Sequence, residues 1–246
     1  MTLFLRLFLF FLVLFGEPLF AQVPPPINVD VDSFLEPGGF SSSINLLLMM
    51  AVITLAPFFL VSITCFLRIV IVLSMIRQAL ATQQAPPNTV LIALSVFMTI
   101  FVMTPTWQKV YDTAVQPYQE GSISQKQALE QGLTPFRDFM FKFTREKDLA
   151  LFLEFSKLKV TNDMSDVPTF VLIPAFITSE LKAAFQIAFL LFIPFVVIDL
   201  IISNILLSLG MFMLSPAMIS LPFKILLFVL TDGWNLIIRG LLISFQ

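Results

Sequence analysis

The stretch from Ala183 to Phe223 contains a single ionisable side chain, Asp199. A carboxylate alone among so many apolar residues is costly to bury, so it needs a partner or water and marks a functional candidate. Later in the same stretch, the Met211-Phe212-Met213 run carries flexible and polarizable side chains. Gly210 before this run and Pro216 after it predict a tight reversal between two apolar helices.

The composition indicates a membrane-derived protein. Hydrophobic residues make up 58% of the 246 residues, phenylalanine alone accounts for 29 of them, and only 12% are charged. One soluble core of this length cannot bury so much apolar surface. The chain has no histidine and one cysteine, Cys65, which excludes an intrachain disulfide and a Cys/His metal site.

The first residues predict a cleaved secretory signal peptide over residues 1–21. Arg6 precedes an apolar stretch, and a small residue, Ala21, stands at the expected cleavage position. The alternative is a retained first transmembrane helix, which the short apolar part disfavours. Residues 22–43 are rich in Pro, Gly, Ser and Asp and predict a loose periplasmic leader.

Two apolar blocks with a polar insert between them make up the rest of the chain. Residues 44–104 predict a first hydrophobic helical hairpin, 105–170 a polar helical insert in the periplasm, and 171–246 a C-terminal hydrophobic hairpin. The run from Ile44 to Ile76 is too long for one straight span of a ~30 Å hydrocarbon core. We therefore expect a break or kink near Pro57 or between Ser62 and Arg68.

Several apolar segments are short for a membrane span. The segment from Thr89 to Thr104 is below the ~20 residues of a spanning helix, and only Ala183 to Leu209 is predicted to span a bilayer by itself. Apolar segments that are short, charged or interrupted by proline are expected to pack on protein. The sequence therefore predicts an oligomer whose subunits shield one another.

The polar insert contains two predicted helices. The first starts at a capping box formed by Ser124 and Gln127 and is predicted to stop at Gly132. Thr134 and Pro135 then predict the start of a second helix, which runs to about Lys157.

The C-terminal block has six ionisable groups: Glu180, Lys182, Asp199, Lys224, Asp232 and Arg239. Glu180 and Lys224 have opposite signs and lie at the margins of apolar segments, so we expect them to pair within one subunit or between neighbours. Together with Arg68 and Asp199 they form the predicted set of charge contacts between subunits. The alternative is that Lys224 and Arg239 extend to an aqueous edge.

Motifs of catalysis are missing from the sequence. Without histidine there is no His-based triad, and neither a Gly-x-Gly-x-x-Gly pattern nor a phosphate loop occurs. The carboxylates are scattered, and most of them lie in the insert. We therefore predict that the protein has no catalytic residues, is not an enzyme, and binds no cofactor, no metal and no nucleic acid.

Several long motifs carry a resemblance to a known family. They are Phe66–Ser74, Arg77–Leu80, Thr144–Phe152, Ile173–Phe176, Ser179–Lys182 and Leu221–Lys224. On these motifs the chain resembles the FliP/SctR family, the export-gate proteins of flagellar and injectisome type III secretion. The resemblance covers nearly all of the chain after the predicted signal peptide.

The resemblance implies a pore-forming subunit without enzymatic activity. Such a subunit would form a homo-oligomer, expected to be a pentamer, that joins FliQ and FliR subunits and other membrane proteins of the export apparatus into a helical pore. The expected location is the bacterial inner membrane within the flagellar basal body, with much of the complex on the periplasmic side. Unfolded flagellar proteins would pass through its central channel.

The family's constriction is a run of methionines, carried here by Met211 and Met213, while Phe212 departs from that pattern. These three residues are therefore the predicted gate of the channel, and the alternative is that the two methionines are ordinary core residues. Two alternative functions stay open. One is an injectisome homologue, and the other is a small-solute secondary transporter, which should show internal repeats and a polar site at the membrane midplane.

Overall fold

The computed structural model describes residues 39–82, 84–156 and 167–246. The signal peptide predicted over 1–21 lies outside the described residues, as does the predicted leader up to residue 38. From Gly39 the chain is helical, so the described end of the predicted leader is part of a helix. The chain divides into two compact units, residues 1–53 and 54–246, and the second contains every predicted site residue.

Every regular element of the described ranges is helical, which confirms the all-α prediction. A π-helical turn, Tyr111–Val115, joins the third helix to the fourth. In chain order the α-helices are α1 (Gly39–Ile63), α2 (Phe66–Ala79), α3 (Asn88–Val110), α4 (Gln116–Gln119), α5 (Gln125–Phe143), α6 (Glu146–Ser156), α7 (Thr169–Ser208), α8 (Pro216–Leu230) and α9 (Gly233–Ile243).

The predicted break in the first apolar run lies at Thr64 and Cys65. The segment Ile53–Ile63 and helix α2 meet there at a bend of 75°. The hydroxyl of Thr64 donates to the carbonyl of Leu60 and accepts a hydrogen bond from the backbone N–H of Phe66. One side chain therefore bonds to a backbone group of each of the two helices that meet at the break. Pro57 lies inside α1, and the break follows it by two turns.

Helix α3 is longer than the apolar segment that predicted it. It begins at Asn88 and continues through Pro105 to Val110, and the π-helical turn and α4 extend the rod to Gln119. The apolar segment ends at Thr104, but the backbone stays helical through the polar residues that follow. Among the described residues, this rod and α7 are the two unbroken helices long and apolar enough to cross a membrane.

The first helix of the insert also continues past its predicted end. The capping box of Ser124 and Gln127 is present, but α5 runs on through Gly132 and Pro135 to Phe143. Gly132 allows close packing instead of ending the helix, since a Cβ built there would lie 3.4 Å from the Cβ of Ala114 in the π-helical turn. The actual break between the insert helices is at Thr144, whose backbone is extended.

Helix α7 organises the compact unit, because α2, α5, α6 and α8 all pack against it. Its buried residues recur every three to four positions through its first half, from Val171 to Ala188, which is the spacing of one helix face. Beyond Pro194 only Phe195 and Leu206 are buried. Helices α8 and α9 form a second bent pair, with an angle of 64° between them.

Candidate functional site: two buried ion pairs and an exposed methionine tip

Arg68 of α2 and Glu180 of α7 form a buried ion pair with two parallel contacts. Arg68 Nη2 lies 2.5 Å from Glu180 Oε1, and Arg68 Nε donates to Glu180 Oε2 at 2.9 Å. The side chain of Glu180 is 0% exposed and that of Arg68 is 7% exposed. This two-point geometry is the arrangement in which a guanidinium best compensates a buried carboxylate.

The remaining donors and the flat face of Arg68 contact the C-terminal residues. Arg68 Nη1 donates to both the carbonyl and the hydroxyl oxygen of Ser244, each at 3.1 Å. The ring centroid of Phe245 lies 4.1 Å from the guanidinium carbon, within the range of a cation–π contact. Because Phe143 of α5 lies on the same guanidinium at 5.5 Å, Arg68 joins α2, α5, α7 and the end of α9.

Lys224 of α8 and Asp199 of α7 form the second ion pair. Lys224 Nζ lies 2.6 Å from Asp199 Oδ2 and also donates to the carbonyl of Ala79 at the end of α2, at 3.2 Å. The hydroxyl of Ser220 donates to Asp199 Oδ1 at 2.5 Å. The lone carboxylate of the apolar stretch therefore has two polar partners on α8, and its side chain keeps 37% of its surface exposed.

The structure corrects the predicted pairing of Glu180 with Lys224 within one chain. Both residues lie in ion pairs, but with Arg68 and Asp199 respectively. Glu180 and Asp199 are nineteen residues apart on α7, which corresponds to about 28 Å at ~1.5 Å per residue. Lys224 is held at Asp199, so its side chain cannot bridge that distance to Glu180. Contacts of these four residues between subunits remain a prediction.

The other three ionisable groups of the C-terminal block form no ion pair within the described chain. Lys182, Asp232 and Arg239 are all exposed. Lys224 is buried, so the alternative in which it extends to an aqueous edge is wrong.

The predicted reversal after α7 is present and is closed by Gly210. This glycine has φ +72°, and its N–H donates to the carbonyl of Leu207 at 3.1 Å. The N–H of Met211 donates to the carbonyl of Leu206 at 2.9 Å, and the two bonds together form a Schellman motif. Pro216 then occupies the first position of α8, so glycine and proline have the predicted roles.

The tip between these two helices exposes its apolar side chains. Met213 is 100% exposed, Phe212 75% and Met211 48%. Within the chain, the interpretation of Met211 and Met213 as core residues is therefore wrong. Flexible thioethers and an aromatic ring in such a position form an adaptable apolar surface.

Three residues of these clusters were missed by sequence reasoning. Ser220 lies four residues before Lys224, so both face the same side of α8, and this spacing could have revealed it. Ser244 and Phe245 are 176 and 177 positions from Arg68, and no local pattern connects them to it.

The fold and the site together define a class: an all-α membrane protein with membrane-length apolar helices, charged groups paired inside and apolar side chains exposed outside. Comparison with known proteins gives the family. The model of the FliP family matches residues 49–241. Flagellar biosynthetic protein FliP of Bacillus subtilis is 49% identical over 217 residues, which cover 88% of this chain and 98% of the relative.

Two further relatives carry the same name. Flagellar biosynthetic protein FliP of Pectobacterium carotovorum is 46% identical over 95% of this chain and 90% of the relative. That of Aquifex aeolicus is 44% identical over 96% of this chain and 97% of the relative. The chain belongs to the FliP family.

Proposed function

We propose that this chain is a pore-forming subunit of the flagellar type III export gate, without enzymatic activity of its own. In this proposal unfolded flagellar proteins cross the inner membrane through a central channel of the assembled gate. Its narrowest part is a collar of Met211, Phe212 and Met213 from several subunits. The family membership and the flagellar names of the relatives support the flagellar apparatus over an injectisome.

The observation that carries the proposal is the exposed methionine tip. Three large apolar side chains stand side by side at the turn between two apolar helices, and they are exposed to between 48% and 100%. The turn that presents them is fixed by the two hydrogen bonds at Gly210 and by Pro216. The backbone therefore holds the tip in place while the thioethers stay flexible, which suits a seal that yields to varied polypeptides.

The exposed apolar surface of α7 supports the proposed oligomer. Beyond Pro194 this helix exposes apolar side chains on several sides, among them Val197, Leu200, Ile201, Ile205 and Leu207. A contiguous apolar surface of this kind needs lipid or protein to cover it. In the proposed gate, copies of this chain, expected as a pentamer, and FliQ and FliR subunits cover it.

The proposed location is the inner membrane within the flagellar basal body, with much of the complex on the periplasmic side. Other membrane proteins of the export apparatus and the unfolded export substrates are the further proposed partners. The two described helices of membrane length agree with a membrane location. A small-solute transporter is less well supported, because the Asp199 carboxylate is engaged by Lys224 and Ser220.

The test is ion leakage through the assembled gate after both tip methionines are shortened. In Met211→Ala with Met213→Ala, the collar loses its flexible side chains, so ion conductance through the gate reconstituted in lipid bilayers should rise. Export of flagellar proteins by cells carrying the variant is measured in parallel.

The matched control is Met218→Ala. Met218 is also exposed, at 76%, but lies in α8 outside the tip, so its loss should leave conductance unchanged. If the double tip variant leaks no more than Met218→Ala, the tip is not the seal of the channel.

A further inference from the structure

Three charged side chains at the apolar surface of the C-terminal block, one acid and two bases, form no ion pair within the described residues. Six ionisable side chains lie between Thr169 and Gln246, and Glu180, Asp199 and Lys224 are in ion pairs. Counting partners only in ranges 39–82, 84–156 and 167–246, Asp232 is an acid without a basic partner, and Lys182 and Arg239 are bases without an acidic one. All three are exposed among apolar neighbours. If another chain covered this surface and excluded water, an ion pair there would be strengthened by the lower dielectric.

Lys182 lies at an open apolar groove between α2 and α7. The groove has a volume of about 700 Å³. Its walls carry large apolar side chains, several of them exposed, such as Phe189 at 67%. We call it the α7 groove and define it by Met75, Lys182, Phe185, Phe189, Phe192 and Val196.

Asp232 lies at an exposed apolar corner between α8 and α9, where the two helices are bent by 64°. Its backbone is left-handed, with φ +50°, and its side chain makes no capping hydrogen bond to the helix it precedes. Leu230 and Val229 beside it are 75% and 68% exposed. We call this the α8–α9 corner and define it by Leu226, Val229, Leu230, Asp232 and Leu236.

We propose that the α8–α9 corner of one copy of this chain docks into the α7 groove of the next, with Asp232 paired to Lys182. The two surfaces match in kind, because exposed apolar side chains around one carboxylate meet an apolar groove with one ammonium group. They differ from each other, so the contact is head to tail and can repeat around a ring or a helix. This inference rests on the proposed oligomeric gate and names the faces that its subunits use.

Crosslinking between two single-cysteine variants tests the contact. Lys182→Cys and Asp232→Cys chains carry different tags and are expressed together in full length, and their membranes are treated with a short bismaleimide. A dimer carrying both tags is expected. Each variant expressed alone should give none, because neither chain then has both reactive faces. The wild-type chain controls for Cys65, which is buried.

A second matched control is Lys126→Cys, an exposed lysine of α5 in the insert. Paired with Asp232→Cys, it should give no mixed dimer. A mixed dimer at the same level as with Lys182→Cys would overturn the assignment of the groove. Dimers from Lys182→Cys alone would also overturn it, because they indicate a symmetric contact. The same holds if the two variants crosslink only to another protein, or if they give no crosslinked product.

Exchanging the two charges tests whether Lys182 and Asp232 form an ion pair or only lie close together. Lys182→Asp and Asp232→Lys should each lose the oligomer peak in size-exclusion chromatography in detergent, because each places like charges at the contact. The chain with both changes should regain it. If oligomers and the tip-dependent conductance barrier persist in both single variants, this interface is wrong while the proposed function stands. If the wild-type chain forms no oligomer, both fail.

Discussion

The two halves of α7 have similar apolar sequences and very different surroundings. From Val171 to Ala188 the helix buries one full face and the ion-paired Glu180, whereas beyond Pro194 it buries only Phe195 and Leu206. The first half belongs to the interior of the chain, and the second half presents apolar side chains outward. The apolar sequence of α7 therefore indicates that the helix is covered, but it does not indicate whether its own chain, another subunit or lipid covers it.

The largest effect on stability is expected at Glu180 in the first half. Glu180→Ala leaves the guanidinium of Arg68 buried without its counter-ion, which should lower the free energy of unfolding by about 3 to 5 kcal/mol. The double variant Arg68→Met with Glu180→Leu removes both charges, so its free energy of unfolding should fall clearly less than that of Glu180→Ala. Denaturant unfolding in detergent micelles gives both values, and a double variant less stable than Glu180→Ala would contradict this account.

A matched pair of phenylalanines compares the two environments on the same helix. Phe176 is 0% exposed and contacts Phe139 edge to face, while Phe189 is 67% exposed. Phe176→Ala should lower the free energy of unfolding of the single chain by about 3 kcal/mol through lost burial and a cavity. Phe189→Ala should change it by less than about 0.5 kcal/mol. Thermal unfolding of both variants under the same conditions measures the two stability changes. Equal losses of stability would contradict the difference between the two halves.

An effect smaller than those at Glu180 and Phe176 is expected in the turn that follows the second half, where the backbone conformation of one residue sets the stability change. Gly210 has φ +72° and no atom lies within 4 Å of an added Cβ, so Gly210→Ala adds only backbone strain, about 1 kcal/mol. Gly240, inside α9, also has open space around an added Cβ. Gly240→Ala should therefore stabilise the chain by about 0.5 to 1 kcal/mol. The melting temperature should fall in Gly210→Ala and rise in Gly240→Ala, and a change in the same direction for both variants would contradict this expectation.

Local signals in the sequence were reliable where neighbouring residues satisfy one another. The capping box of Ser124 and Gln127, the turn between Gly210 and Pro216 and the break within Ser62 to Arg68 all depend on contacts over a few residues. Helix ends predicted from a single glycine or proline were wrong where the helix continued through that residue. Gly132, predicted to end a helix, and Pro135, predicted to begin one, both lie inside α5, because tertiary packing outweighs their local preferences.

The sequence by itself determined the helical class, the apolar character of the surface, the turn that presents Met211 to Met213 and, through its long motifs, the family. Only the tertiary structure decided which charges pair, since Arg68 and Glu180 are 112 positions apart and each apolar segment offers several candidate partners. It also decided where the insert helices divide, because the N–H of Arg145 after Thr144 donates to the hydroxyl of Ser179 on α7. Such contacts depend on which helix faces meet, and helix packing sets that geometry over distances that no local pattern records.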